Sequence, residues 1–264
     1  NKKRLAGKVG ASTFGAKITL EGPLKKAKNP DDMTASFIIS AKNSYLDKTS
    51  QSVYKPILNG NELPYTYNDI YGKISLNSTN GSKINFFGFN FTDDVMNYKS
   101  ISNFGWDSYG GGVNFVVIPG KSPTMIEGNV AYSDYEARLE EANNPNRNSS
   151  INGFNAGFAF TYFLGKNTLK YGIEMLGFKT VFDYFKSNGI HISQVDNTTE
   201  LGAYVKYKAQ FDKLILEPSL RLQAYASLSE VSPEPRLAIK YNVTDWFRVK
   251  AAGGLYSQNL VAAN

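Results

Sequence analysis

The residue types that catalysis usually needs are sparse in this chain of 264 residues. It contains no cysteine and one histidine, which removes thiol nucleophiles, cysteine metal sites and every site that needs two imidazoles. That histidine, His191, lies beside Asp183 and Asp196 in a segment that we interpret as a loop. It is either a solvated side chain or a contact for a metal or substrate. No nucleophile, base and acid share a strand end, so we expect no enzyme activity, no metal site and no cofactor.

Three further motifs could bind ions. Asp93-Asp94 and Glu140-Glu141 could hold calcium, but they lack the dense oxygen ligands of a calcium loop, which favours solvated acidic pairs. The triplet Gly110–Gly112 follows Tyr109, and neither a lysine with serine or threonine nor a helix comes after it. It is therefore not a phosphate loop. We predict a β-bulge there, or a close approach of the contents of the lumen to the backbone.

The basic charge is modest and dispersed. The formal net charge is +6, and short basic clusters occur at residues 2–4 and 25–28. Such clusters could bind nucleic acid, but lysines are spread along the whole chain, and solvated turns and tails explain them better. We expect no nucleic-acid partner.

The secondary structure that would position any functional site is predicted by a pattern in which apolar and polar residues alternate. From Leu214 to Leu228, apolar and polar residues alternate, and the preceding segment from Leu201 to Phe211 does the same, with a tight turn at Asp212-Lys213. A helix would mix these two sets of residues because its period is 3.6. The pattern predicts an all-β chain. Predicted strands lie near residues 6–13, 15–22, 33–45, 67–77, 83–93, 104–117, 122–136, 153–164, 168–179, 198–211, 214–228, 235–243 and 246–257.

Short and long connections alternate between these strands. The short ones fall at residues 78–82, 118–121, 165–167, 212–213 and 244–245, with 23–32 a longer member. The long ones fall at residues 46–66, 94–103, 137–152, 180–197 and 229–234. This alternation is typical of an antiparallel transmembrane β-barrel with short periplasmic turns and long extracellular loops.

The two faces of the predicted strands differ in charge. One face is uncharged in the best-defined strands, which suits hydrocarbon, where a lysine or arginine at mid-depth costs about 2–4 kcal/mol. The other face would line a water-filled or plugged lumen, because unpaired charges in a dry core are costly. The predicted lumen-lining residues are Glu174, Lys206, Lys208, Glu217, Arg221, Lys240, Arg248 and Lys250.

Aromatic residues near strand ends predict two girdles at the membrane surfaces. One would hold Phe163, Tyr171, Phe211, Trp246 and Phe247 by the short turns, and the other Phe91, Tyr135, Phe178, Phe182, Tyr184 and Tyr256 toward the long loops. The alternative is an ordinary aromatic core in a soluble β-protein.

Several segments resemble barrel strands of TonB-dependent outer-membrane receptors, particularly those of the Bacteroidetes group. The segments are Ile18–Leu24, Tyr67–Ser75, Glu234–Asp245 and Val249–Gln258. In that family a Pro-Arg-Leu strand leads through a tight periplasmic turn into a Lys-Ala-Gly strand, and the spacing here fits. The motifs mark barrel strands and not a substrate.

The resemblance implies a multi-pass protein of the Gram-negative outer membrane. It implies a barrel of 22 strands with a plugged lumen, of which residues 1–264 would be the N-terminal part of the barrel domain, without the plug and the C-terminal strands. Implied partners are outer-membrane lipids and lipopolysaccharide, TonB through a missing N-terminal segment, and a surface lipoprotein or other outer-membrane subunits.

The function predicted first is a receptor that binds a siderophore, glycan or peptide and imports it with energy from TonB. The alternatives are a receptor-like barrel that serves as a structural subunit of a larger complex without transport, and a passive porin. Aromatic side chains in the long loops would supply ligand or partner contacts. These residues are Tyr54, Tyr65, Phe182, Tyr184 and Phe185.

Overall fold

The computed structural model describes residues 4–29, 31–55, 63–98, 102–120, 122–142, 144–186 and 189–258. Within these ranges, thirteen antiparallel strands form a single sheet in which every strand pairs with its neighbours in sequence. The predicted all-β antiparallel fold with 13 strands is therefore confirmed. Among the described residues, no helix is both long and apolar enough to cross a membrane.

The strands follow one another with one short helix between the third and the fourth. Their bounds are β1 Ala6–Ala11, β2 Gly15–Lys25, β3 Thr34–Ser44, α1 Leu46–Val53, β4 Tyr65–Asn77, β5 Lys83–Tyr98, β6 Ser102–Val117, β7 Thr124–Glu141, β8 Asn144–Leu164, β9 Asn167–Phe185, β10 His191–Phe211, β11 Leu214–Tyr225, β12 Glu230–Asn242 and β13 Arg248–Gly254.

At one end of the sheet, which we call the short-turn end, tight turns connect the strands at the positions predicted from the sequence. Gly165 turns between β8 and β9 with φ 64°, and Asp212 turns between β10 and β11 with φ 37°. Both residues adopt the left-handed conformation that tight hairpins require.

At the opposite end, here the far end, the strands are longer than expected. The predicted loops at 94–103, 137–152 and 180–197 are mostly strand, because β5 to β10 continue as paired hairpins beyond the alternating segments. Alternation requires one apolar and one watery side, and it disappears where water contacts both faces, although backbone pairing continues. The prediction of loops in these three segments is wrong for that reason.

The register assigns every strand to the same two faces. Leu201 is opposite Ala224 and Met175, and Val205 is opposite Leu220 and Tyr171. Following these pairs outward defines an apolar face, which carries Leu220. The opposite, polar face carries Arg221. Because successive side chains of a strand point to opposite faces, an even or odd residue number within a strand, here called its parity, assigns each residue to one of the two faces.

Side chains on the apolar face have no second layer to pack against. Ile173 is 62% exposed, Val130 54% and Leu222 46%, and the sheet is single. A soluble sandwich would bury these side chains between two sheets. An exposed apolar surface of this extent marks contact with another apolar phase.

A row of polar residues bounds the uncharged part of this face. On the apolar face of β5 to β10, the register aligns Asn90, Tyr109, Asp134, Asn152, Lys179 and Asn197. Between this row and the short-turn end, the apolar face of these strands carries no charged residue. In β9 that uncharged stretch extends from Leu169 to Gly177, close to the roughly ten residues that cross a bilayer in a β-barrel.

Candidate functional site

Charged side chains on the polar face of β7 to β12 pair with one another. The guanidinium of Arg221 contacts the Glu174 carboxylate at 2.7 Å, and Lys206 contacts Glu217 at 2.8 Å. Arg221 also donates to the Gln223 side chain at 2.9 Å. These side chains are partly exposed, so water reaches the pairs. We call this region the ion-pair wall.

The register places all eight predicted lumen-lining residues on this one face. Glu174, Lys206, Glu217 and Arg221 form pairs there, while Lys240 lies opposite Lys250 across β12 and β13. Lys208 and Arg248 share the face by parity. Their role in lining a lumen stays a prediction.

The ion-pair wall also contains pairs that sequence analysis missed, among them Arg236 with Glu234 in β12 and a pair that reaches across a strand. Lys170 of β9 contacts Glu127 of β7 at 2.7 Å, across the intervening strand β8. Lys170 and Glu127 both have the parity of the polar face, and this alternation is the signal that the sequence offers for them. Their proximity depends on the register of three strands, and no pattern within one strand reveals it.

A second region of the polar face is aromatic. It occupies β4 to β6 and consists of Tyr65, Tyr67, Tyr71, Phe87, Phe89, Phe91, Phe104 and Trp106. Rings two residues apart on one strand contact each other: Phe89 and Phe91 have centroids 4.9 Å apart, and Phe104 and Trp106 5.2 Å. We call this region the aromatic wall. Sequence analysis gave no ligand role to its members other than Tyr65.

Glycine provides space for one ring of the aromatic wall. Phe89 is opposite Gly110, where an added Cβ would lie 2.8 Å from the Phe89 ring and 2.6 Å from the Tyr132 carbonyl oxygen. The register through residues 110–112 is continuous. The predicted bulge is therefore wrong. The groups that lie close to Gly110 are the Phe89 ring and the Tyr132 carbonyl oxygen of the two neighbouring strands, and an approach of the contents of the lumen stays a prediction.

The far end of the aromatic wall also contains polar groups. The Tyr65 hydroxyl donates to the Asp93 carboxylate at 2.6 Å, and Trp106 lies opposite Asp93 in the register. Burial, aided by the hydrogen bond to Asp93, raises the pKa of Tyr65 to about 12. The site thus combines ring surfaces with a neutral phenol and a carboxylate.

The residues predicted for ligand contact in extracellular loops lie mostly in strands. Tyr65 begins β4, and Phe182, Tyr184 and Phe185 belong to β9. Tyr54 follows α1, where its hydroxyl pairs with that of Thr13 at 2.7 Å. The prediction of loop positions is wrong for all but Tyr54, because the β9–β10 hairpin extends to the far end. Their ligand contacts stay a prediction.

The predicted girdle toward the long loops is also wrong. Parity places Phe91, Tyr135, Phe178, Phe182 and Tyr184 on the polar face. Position along a strand gives height in a membrane, but the face depends on the alternation of side chains along the strand, which the prediction of this girdle did not use. At the short-turn end, Tyr171 and Phe211 do lie on the apolar face.

His191 contacts one carboxylate, that of Asp183, and its ring stacks on Phe185 with centroids 4.4 Å apart. All three lie at the far end of the β9–β10 hairpin, on the side that continues the apolar face. In the described ranges, no group of three or more histidine, aspartate or glutamate residues is arranged to hold a metal ion.

Solved structures with a similar fold are outer-membrane receptors. The chain is similar to the siderophore receptor PirA from Pseudomonas aeruginosa, with 15% identity, a TM-score of 0.65 and coverage of 99% of this chain and 45% of that one. It is similar to the FrpB iron transporter from Neisseria meningitidis, with 11% identity, a TM-score of 0.66 and coverage of 96% and 45%. It is also similar to the alcaligin outer-membrane receptor FauA from Bordetella pertussis, with 10% identity, a TM-score of 0.64 and coverage of 94% of this chain and 42% of that one.

These similarities show a shared fold. The 13 strands have the fold of part of the barrel in such receptors, so the resemblance predicted from the sequence is confirmed at the level of fold. The chain spans less than half the length of each of these structures. No protein-family model and no curated protein sequence matches the chain.

Proposed function

We propose that this chain is part of an outer-membrane receptor that binds a nutrient and imports it with energy supplied through TonB. The observation that supports this proposal is the division of one wide sheet into an uncharged, exposed apolar face and a charged, ion-paired polar face. The apolar face would contact lipid, and the polar face would contact water or a plug inside the barrel. The short-turn end would lie in the periplasm and the far end outside the cell.

The aromatic wall is the proposed ligand contact. It lies on the inner face of the proposed barrel and reaches the far end, where a ligand would enter. Rigid rings supply large apolar contacts at low entropic cost, and Asp93 with Tyr65 supplies a polar anchor. The similar structures are named for siderophores and iron, so a ferric siderophore is the first ligand class to test, ahead of glycans and peptides.

The test uses the full-length protein in its own cells. Deleting the gene should abolish growth on one supplied ferric siderophore under iron limitation, and the intact gene should restore growth. Trp106→Ala should weaken binding of that siderophore by about 5-fold to 30-fold, as expected for loss of a buried aromatic contact. Trp246→Ala is the matched control, because Trp246 is 84% exposed in a turn at the short-turn end.

Other outcomes would redirect the proposal. Normal uptake of every siderophore, glycan and peptide tested, combined with loss of a copurifying membrane complex, would favour the structural-subunit alternative. Steady conductance of the purified protein in planar bilayers would favour a porin, because a plugged receptor is nearly silent. Equal binding by wild type and Trp106→Ala would refute the role of the aromatic wall.

A further inference from the structure

Glycines interrupt the apolar face of β4 to β6, two residues from the polar row at Asn90 and Tyr109. Gly72, Gly88 and Gly111 lie opposite one another on β4, β5 and β6. A Cβ added at Gly72 would meet nothing within 4 Å, and one added at Gly88 would only touch the Gly110 carbonyl oxygen at 3.5 Å. Packing within the sheet therefore does not explain why Gly72 lacks a side chain.

The missing side chains leave a groove on the apolar face of β2 to β5. Its volume is about 550 Å³, and its apolar walls are formed by Leu24, Phe37, Ile39, Ile74 and Phe86. Because these residues lie on the lipid-facing side of the proposed barrel, the groove would open to acyl chains.

Lysines follow directly at one end of the groove. Leu24 lines the groove, and Lys25, Lys26 and Lys28 come next in the chain, all exposed. Lys25 is opposite Ala35, a residue of the apolar face. The lysines thus lie where the β2–β3 connection would meet the periplasmic headgroups.

The acidic residues of the same connection lie on its β3 side. The Asp32 carboxylate accepts the backbone N–H groups of Lys28 and Asn29 at 2.8 and 2.9 Å. These hydrogen bonds lower the pKa of Asp32, so it stays ionised and holds the turn near Lys28. Asp31 is exposed beside it.

We propose that this groove binds an anionic phospholipid of the periplasmic leaflet, with an acyl chain against Gly72 and Gly88 and the phosphate at Lys25, Lys26 and Lys28. The inference rests on the proposed orientation of the barrel. Apolar walls that end in a lysine run match an acyl chain joined to a phosphate. This charge complementarity favours a lipid over a second copy of the chain.

A second groove on the same face provides an internal control. It has a volume of about 420 Å³ and is lined by Phe158, Ile173, Ala203, Leu220 and Leu222, among others. The hairpin turns below it carry single lysines, Lys166 and Lys213. It should accept acyl chains without preference for a headgroup.

The experiment is native mass spectrometry of the full-length protein, stripped of lipid in detergent and titrated with phosphatidylglycerol or phosphatidylcholine of equal chain length. Wild type should prefer phosphatidylglycerol by at least about fivefold, the effect of one lysine near an anionic headgroup. The triple variant Lys25→Gln, Lys26→Gln, Lys28→Gln should lose this preference. Gly72→Leu should weaken binding of both lipids, whereas Ala203→Leu, the matched control, should leave the preference intact.

Several results would overturn the proposal. They are equal affinity of wild type for the two lipids, an unchanged preference in the triple variant, or the same response to Gly72→Leu and Ala203→Leu. Since residues 1–264 contain no cysteine, Gly72→Cys adds a labelling point to this chain. Cross-linking of two copies in membranes that requires Gly72→Cys would show a protein interface instead. Circular dichroism and siderophore uptake check that each variant folds. Absence of uptake by the wild type, together with an intact lipid preference, would refute the proposed function alone.

Discussion

The aromatic wall and the ion-pair wall share one face of one sheet, yet their chemistry is opposite. In the ion-pair wall, several charges already have partners within the sheet, as Glu174 and Arg221 do. In the aromatic wall, Phe89 and Phe91 contact each other, but rings such as Phe104 remain 40% exposed. Exposed ring surface gains from any apolar contact, whereas a paired charge must first lose its partner. This difference is the reason to propose the aromatic wall, and not the ion-pair wall, as the ligand contact.

The two walls also differ in how they tolerate change. Paired charges at the ends of long, partly solvated side chains can move, and exposed pairs of this kind contribute only about 0–1 kcal/mol each. At Gly110 in the aromatic wall, by contrast, an added Cβ would meet the backbone carbonyl oxygen of Tyr132, which cannot move without displacing the neighbouring strand. The following variants test this contrast.

The largest expected effect tests the premise that both walls face away from lipid. Val130→Lys on the apolar face should lower the free energy of unfolding in phospholipid vesicles by about 2–4 kcal/mol. Ser133→Lys, three residues along β7 on the exposed polar face between Gly110 and Gly153, should cost far less. Urea titration followed by tryptophan fluorescence measures both. If Val130→Lys and Ser133→Lys lowered the free energy of unfolding equally, the assignment of the apolar and polar faces would be wrong.

The next effect compares glycines of the two walls. Gly110→Ala should destabilise by about 1–3 kcal/mol, as overpacking does, because its Cβ would lie 2.6 Å from the Tyr132 carbonyl oxygen. A Cβ added by Gly202→Ala in the ion-pair wall would lie 2.5 Å from the Arg221 guanidinium. Because that guanidinium ends a long, flexible side chain, it can move away, and Gly202→Ala should destabilise the protein less than Gly110→Ala. The same urea titration decides. A larger cost at Gly202 would contradict the contrast in rigidity.

A smaller effect isolates one ion pair. In a double-mutant cycle, Glu174→Gln and Arg221→Gln should show a coupling energy of about 0.2–1 kcal/mol. Because water reaches the pair, the coupling should shrink further at 1 M salt. The control cycle combines Glu174→Gln with Lys240→Gln, which are separated by intervening strands and should be additive. A coupling of several kcal/mol would mean that the ion-pair wall is dry.

The smallest effect concerns the phenol of Tyr65, which lies toward the far end, beyond the polar row that bounds the uncharged part of the apolar face. Its pKa is raised from 10.0 to about 12, so folding favours the neutral phenol. The resulting stabilisation is present below pH 10 and is lost as the pH rises through 12. Ultraviolet titration of tyrosinate should show a smaller absorbance change near pH 12 in Tyr65→Phe than in the wild type. An equal change near pH 12 in the two proteins would contradict this assignment.

Much of the fold follows from the sequence where one side of a strand is apolar. The alternation through β11 and the turn at Asp212-Lys213 predicted strands and faces that the structure reproduces within a few residues. Prediction failed at the far end, where β8 begins at Asn144 and β10 at His191. There water contacts both faces, and polar residues continue the strand without an alternating signal.

By itself, the sequence determined which side of each strand is apolar and which is charged, because side-chain direction alternates with a period of two that neighbours do not change. Only the tertiary structure decided which side chains meet. Phe89 rests on Gly110, Lys170 reaches Glu127 across a strand, and Gly72 aligns with Gly88. Each of these contacts depends on the register between strands, which is set by turns and pairing along the whole sheet and not by any local run of residues.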